Sequence, residues 1–303
     1  MNANQDFAQP RAGRRISFRL NGRSLALDRR VNAIRGDLAD ISLAGILFAP
    51  HYARALPMHC IVPGAFLRES GSGDARAASQ ILAGETFHVL DVTGAWAWGF
   101  CDHDGYVGYV ERDALATGIL AATHQVSART APVFATPDIK SPVVDMLPAG
   151  SRITGEAAGD FVVTATGAVH VRHLLDAGQF EIDWVAAAER QIGQPYVWGG
   201  RGQGGIDCSG LVQLALGQAG VRVPRDTDLQ RDSIGTPLAD DAVLERGDVV
   251  FFPGHVGIML DAERMLHANA WWMNTVIEPL SDVVARLEPQ HEHPILARRR
   301  VAL

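Results

Sequence analysis

Lysine is almost missing from this chain: Lys140 is the only one in 303 residues. Schiff-base and lysine acid–base chemistry would rest on that one side chain, in a proline-flanked loop, and they are set aside. Cysteine is scarce as well. Cys60, Cys101 and Cys208 form an odd set, whereas a small secreted scaffold carries a dense, even one. No Cys-x-x-Cys occurs. The nearest metal-like pairs, Cys101 with His103 and His291 with His293, lack partner ligands close by, so neither a metal nor another cofactor is expected. No apolar run approaches the ~18 residues of a membrane span; the best, from Ile41 to Pro50, stops at His51. An excess of positive charge is also absent. Lys and Arg total 27 against 34 acids, a net charge of −7, which argues against a nucleic-acid partner. Eight arginines between Arg11 and Arg35 confine any basic patch to the start of the chain. That start has no apolar segment behind its arginines, so it reads as neither a secretory nor a twin-arginine signal, and a cytoplasmic location is expected.

Apolar residues make up 47% and charged residues 20%, the composition of a soluble globular protein large enough for several domains. Residues 1 to about 25 lack periodicity and read as disordered, within an N-terminal extension over 1–57 that shows no clear unit. From 58 to 118, short apolar runs alternate with turn signals, the rhythm of a small antiparallel barrel. The rhythm recurs over 122–178: Gly84 answers to Gly150 and Gly105 to Gly167. This spacing and the ending Gly105-Tyr106-Val107-Gly108-Tyr109-Val110 resemble bacterial SH3-like domains, the second copy degenerate. Over 180–303 the texture changes. Asp183 is placed to cap a helix from Trp184 to Ile192, and Asp207 a helix from Cys208 to Ala219. Strand-like runs follow, so the expected fold class is α+β, with helices packed on one antiparallel sheet.

Cys208 carries the strongest chemical signal. A glycine-rich loop, Gly199 to Gly205, leads to it, and it occupies the first turn of a predicted helix, where the dipole favours a thiolate. Asp207 opposes that effect, so a histidine has to complete the nucleophile. A free cysteine is usually a small apolar core residue; Cys60 and Cys101, inside strand-like runs, are read that way. Among eleven histidines, His255 stands out between Gly254 and Val256-Gly257, after the apolar run Val249 to Phe252. His267 lies on the next strand. For the two to meet on one face of their hairpin, the loop around Asp261 to Arg264 has to be odd-numbered, or one strand bulged.

Three segments occur in the order of a known family: Pro195-Tyr196-Val197-Trp198-Gly199-Gly200, Asp207-Cys208-Ser209-Gly210-Leu211-Val212, and Gly247-Asp248-Val249-Val250-Phe251-Phe252 leading to Gly254-His255-Val256-Gly257-Ile258. They resemble the NlpC-type cell-wall peptidases, papain-like cysteine endopeptidases that cut murein peptides. The resemblance implies Cys208 as nucleophile, His255 as general base and acid, His267 as the group orienting it, and Tyr196 near the oxyanion. With SH3-like domains in front, the chain looks like the γ-D-glutamyl-L-diamino-acid endopeptidases of murein-peptide recycling, whose substrates carry a free N-terminal L-Ala. On that likeness Asp226 and Thr227, in Pro224-Arg225-Asp226-Thr227, bind substrate together with Ser209, and Glu85 and Tyr106 contribute from the first SH3-like domain. The partners implied are murein-derived peptides, with no nucleic acid and no membrane. Two competing readings remain: a papain-like amidase or acyltransferase, and a catalytically inactive wall-binding module.

Overall fold

The computed structural model describes residues 26–302; the expectation of disorder for residues 1–25 falls outside them. Strands β1 (Leu38–Asp40) and β2 (His51–Ala53) pair in parallel. Ala33 packs with Leu90 and Trp98, and the Arg30 carbonyl accepts the Val107 N–H at 2.7 Å. The N-terminal extension is thus a strap laid on the unit that follows.

That unit consists of β3 (Leu56–Cys60), β4 (Gly64–Arg68), β5 (Ala77–Leu82), β6 (Thr86–Thr93), β7 (Trp96–Cys101), β8 (Val107–Glu111) and β9 (Leu115–Thr117). They form one antiparallel sheet in the order β5-β4-β8-β7-β6-β3-β9. Cys60, Leu67, Ile81, Phe87, Cys101 and Val110 fill its core, so both strand cysteines are the core residues expected of them. A second unit repeats the plan with β10 (His124–Val126), β11 (Thr130–Phe134), β12 (Val143–Pro148), β13 (Arg152–Ile153), β14 (Gly155–Ala158), β15 (Phe161–Thr164), β16 (Ala168–His170) and β17 (Leu174–Asp176). Here the counterpart of the long β6 is broken into β13 and β14, and the sheet splits into β12-β11-β16-β15-β14 and β13-β10-β17. The degeneracy seen in the sequence is this break. Gly84 and Gly150 hold equivalent turns at φ of +74° and +87°, a region that favours glycine. A side chain at Gly84 would run into Arg152 of the second unit, and one at Gly150 into Leu214 beyond it. The repeated glycine therefore serves contacts between units as well as turns.

The remaining region holds α1 (Trp184–Glu189), α2 (Cys208–Gln218), α3 (Thr227–Ser233) and α4 (Leu280–Leu287), with β18 (Thr236–Pro237), β19 (Asp248–Phe252), β20 (His255–Met259), β21 (Arg264–Asn269), β22 (Asn274–Pro279) and β23 (Ala297–Arg300). The predicted caps are in place: Asp183 accepts the Val185 and Ala186 N–H groups, and Asp207 accepts that of Gly210. The first helix stops at Glu189, three residues short of expectation. The sheet is antiparallel in the order β18-β23-β19-β20-β21-β22. Alternate residues face opposite ways: Val249, Phe251, Val256 and Ile258 pack with α2, and Val250, Phe252 and Met259 with Val283 of α4. This is the α+β architecture expected. Among the described residues, no helix is long and apolar enough to cross a membrane.

The glycine-rich loop docks this region onto the first β unit. The Gln80 amide oxygen accepts the Arg201 and Gln203 N–H groups, and Arg201 donates twice to Glu85, at 2.7 and 3.0 Å. Glu85 is 5% exposed and Arg201 4%. Contrary to the expectation of a substrate-binding role, Glu85 is the buried half of an interdomain ion pair. Burial would raise its carboxyl, but Arg201 and His103 outweigh burial and hold it down to about 2. The sign follows: the pair contributes stability above the ordinary glutamate value of 4.5 and loses it as pH falls towards 2. Removing one partner of a buried pair costs ~3–5 kcal/mol. Glu85→Ala should therefore lower Tm strongly at neutral pH. A Tm within two degrees of wild type would refute the lock.

Candidate active site

The site is assembled at the start of β20, beside the first turn of α2. The backbone N–H groups of Ser209 and of Val256, the residue after His255, bond the Cys208 sulfur, which brings the sulfur to the strand that begins with His255. The hairpin register pairs Ile258 with Leu266 and Met259 with Met265, and Leu260 N–H bonds Arg264 C=O around a three-residue loop. Asp261 accepts the Glu263 and Arg264 N–H groups in that turn. The loop is odd-numbered, as the sharing of a face requires. His255 Nε2 lies 2.8 Å from His267 Nδ1.

The chain of contacts then continues one strand further than the sequence showed. His267 pairs across with Val276, so Glu278 is its diagonal neighbour on the same face. Glu278 Oε1 is 2.7 Å from His267 Nε2, and Arg286 of α4 donates twice to Glu278. Trp272 Nε1 donates to it as well. Burial would raise the Glu278 carboxyl, but the Arg286 and Trp272 bonds and His267 outweigh it, so Glu278 is ionised. An ionised carboxylate only accepts, and that fixes the tautomers. His267 carries its proton on Nε2, its Nδ1 accepts from His255 Nε2–H, and His255 Nδ1 keeps a free lone pair. Asn269 Nδ2, fixed as a donor because Trp272 N–H takes its oxygen, also lies 2.8 Å from His267 Nε2, and the Nε2–H tautomer leaves that contact without a hydrogen bond. From the sequence, a histidine as third member would leave the His255 imidazolium weakly stabilised; Glu278 supplies the missing negative charge one step away.

Burial pushes the Cys208 thiol up to about 12, and Asp207 adds to the shift. Desolvation pulls the His255 imidazole down to about 3, with His267 acting in the same direction. Both shifts favour a neutral thiol–imidazole pair at rest, in place of the thiolate expected from the helix terminus. Asp207 is itself saturated. Its oxygens accept from Gly199 and Gly210 N–H and from both terminal nitrogens of Arg225, a fully buried guanidinium.

Cys208 opens into a cleft of ≈ 270 Å³ whose walls include Tyr196, Trp198, Ser209, Asp226, Thr227, Tyr106 and Glu69. Six of the nine predicted site residues line this cleft: Cys208, Tyr196, Ser209, Asp226, Thr227 and Tyr106. Gly254, also on the cleft wall, leads directly into His255, which is paired with His267, whereas Glu85 is held by Arg201. The Ser209 hydroxyl accepts from Arg225 at 2.7 Å, so this residue offers the cleft its backbone. Tyr106 donates its hydroxyl to Asp226 Oδ2 at 3.0 Å, across the domain boundary. The acid that the first β unit brings to the cleft is Glu69, from the loop after β4. Sequence reasoning missed Glu69, Glu278, Asn269 and Arg286. For Glu278 there was one signal, an acid inside the strand-like run Asn274 to Pro279.

Glu278→Gln tests the relay, because an amide can donate to His267 Nε2 and reverse both tautomers. The ~10⁴-fold loss seen when a directly bonded triad carboxylate becomes an amide sets a ceiling. A fall in kcat of at least about tenfold, with KM little changed, is expected from steady-state kinetics. A kcat within twofold of wild type would remove Glu278 from the mechanism.

A cysteine at the N-terminus of a helix packed on an antiparallel sheet that carries a histidine relay defines a papain-like cysteine peptidase. The NlpC/P60 family model matches residues 193–283, and that of the bacterial dipeptidyl-peptidase SH3 domain matches residues 67–115. Dipeptidyl-peptidase 6 of Lysinibacillus sphaericus is 31% identical over 191 residues, covering 54% of this chain and 69% of that protein. A probable endopeptidase of Corynebacterium glutamicum (strain R) is 32% identical over 170 residues, covering 54% and 78%. The chain belongs to the NlpC/P60 family of cysteine endopeptidases. Its fold is also that of an NlpC/P60 family protein from Bacillus cereus ATCC 10987, with a TM-score of 0.67 at 18% identity over 80% of this chain and 99% of that one.

Proposed function

We propose that this enzyme hydrolyses the γ-D-glutamyl-L-diamino-acid bond of free murein peptides that begin with L-Ala. The observation that carries the proposal is the Asp226 carboxylate in the cleft that holds Cys208. Asp226 shares the cavity with Cys208, and its Oδ2 is held by Tyr106 and Arg30 while Oδ1 has no protein donor among the described residues. An acid held this way suits the ammonium of a substrate bound in the same cleft as the nucleophile. The cleft falls below the ~300–1,000 Å³ of drug-sized sites, which fits a peptide end better than a cross-linked wall strand. An amidase has no need of such an acid.

In the reaction, His255 Nδ1 takes the thiol proton as sulfur attacks the γ-carbonyl carbon. The His255 imidazolium then protonates the departing amine of the diamino acid, leaving a thioester. Water, deprotonated by His255, cleaves the thioester and restores the thiol. The His267–Glu278 link stabilises the imidazolium in both halves. Tyr196, on the cleft wall beside Cys208, is assigned to the oxyanion. The same proposal places the enzyme in the cytoplasm, where murein fragments arrive as free peptides; cell fractionation tests that part.

The deciding experiment is a digest of L-Ala-γ-D-Glu-diaminopimelate with products identified by mass. L-Ala-γ-D-Glu and diaminopimelate are expected. Cleavage confined to intact sacculi, or at another bond, would overturn the assignment.

A further inference from the structure

Arg30, from the N-terminal strap, also lines the cleft that holds Cys208. It is the hub of a carboxylate cluster built from both ends of the chain. Nη1 donates to Asp226 Oδ2 at 2.9 Å and to Asp228 Oδ1 at 2.9 Å, and Nη2 donates to Asp228 Oδ2 at 2.7 Å. On its other edge, Nε and Nη2 grip Asp28 at 3.1 and 2.7 Å. The backbone is tied too: Arg30 N–H donates to Asp28, and its carbonyl accepts Val107 N–H, the residue after Tyr106. Bidentate grips on two carboxylates hold a guanidinium far more firmly than a lone surface ion pair would.

One side of this guanidinium faces the cleft, yet its side chain is 38% exposed. With Glu69, Ala78 and Tyr106 it lies between this cavity and a second, open hollow, and of these four it is Arg30 and Tyr106 that bond Asp226. Three carboxylates against one guanidinium leave the cluster with two surplus negative charges, so the wall does not cancel the attraction for an ammonium. A peptide extended past Asp226 on the side of Oδ2 would meet the Arg30 guanidinium bonded there.

We propose that Arg30 is a specificity-determining residue, the end wall by which the N-terminal strap closes the cleft behind Asp226 and excludes peptides longer at their N-terminus. This rests on the reading of Asp226 as the ammonium site, so two independent measurements are needed.

The first compares kcat/KM for L-Ala-γ-D-Glu-diaminopimelate and the same peptide with one glycine added at its N-terminus. Wild type should prefer the shorter peptide by at least about a hundredfold. Arg30→Ala should narrow that ratio at least about tenfold, and Asp228→Asn, which loosens the guanidinium from the other side, should narrow it less. The second needs no substrate. Alkylation of Cys208 by iodoacetamide and by a bulky fluorescein maleimide, read by peptide mass mapping, reports the width of the opening. Arg30→Ala should raise the maleimide-to-iodoacetamide rate ratio at least about fivefold. A shifted alkylation ratio with neither peptide cleaved would uphold the wall and refute the substrate assignment. An alkylation ratio unchanged in Arg30→Ala would overturn the wall whatever the substrate proves to be, as would cleavage ratios unchanged in both variants.

Discussion

Cys208→Ala is expected to abolish turnover, a loss on the order of 10⁶ in kcat, while the protein stays folded. Cys208 belongs to the core cluster under α2, and alanine fills most of its volume, so circular dichroism and Tm should change little. His255→Ala should cost about as much, and the double variant no more than either single one, since nucleophile and base act as a unit. A folded Cys208→Ala variant with near wild-type turnover would end the mechanism. The resting state can be read separately from the pH dependence of alkylation. Iodoacetamide should label Cys208, which lines an open cleft, before Cys60 or Cys101, which lie in a β core. With the thiol pushed up to about 12, labelling should climb roughly tenfold per pH unit from pH 6 to 9. A plateau across that range would mean that a thiolate–imidazolium pair exists at rest, as the helix terminus alone suggested.

Acetylating the N-terminus of L-Ala-γ-D-Glu-diaminopimelate is expected to lower kcat/KM at least about a hundredfold. A charge-assisted hydrogen bond is worth ~1.5–3 kcal/mol net, and each ~1.4 kcal/mol is a factor of ten. Losing the ammonium also leaves Asp226 Oδ1 without a donor while Oδ2 keeps Arg30 and Tyr106, a further cost. Asp226→Asn should erase most of the difference between the two peptides by weakening binding of the free one. The preference should also fade in acid. Burial raises the Asp226 carboxyl above its ordinary range despite the Tyr106 and Arg225 contacts, so its negative charge is present above that raised value and lost as pH falls through it. Equal cleavage of both peptides by wild type would show that Asp226 does not bind the amine.

What could be read from the sequence was local or periodic. Asp207 before Cys208 places the nucleophile at a helix start because a capping acid and a following apolar run are short-range signals. The meeting of His255 and His267 reduces to the parity of one loop, since strand side chains alternate with period two. The doubled β unit shows as glycines recurring where turns recur. Tertiary structure alone decided the rest. Glu278 joins the relay only because β22 pairs with β21 in a register that makes it diagonal to His267. Glu85 leaves the site because Arg201, 116 residues away, draws it into a buried pair, while Glu69 takes a place on the cleft wall. Arg30 meets Asp226 across 196 residues. An acid or an arginine has no period and no preferred neighbour in sequence; its partner is chosen by the packing of domains, where a charge leaving water has to find its opposite.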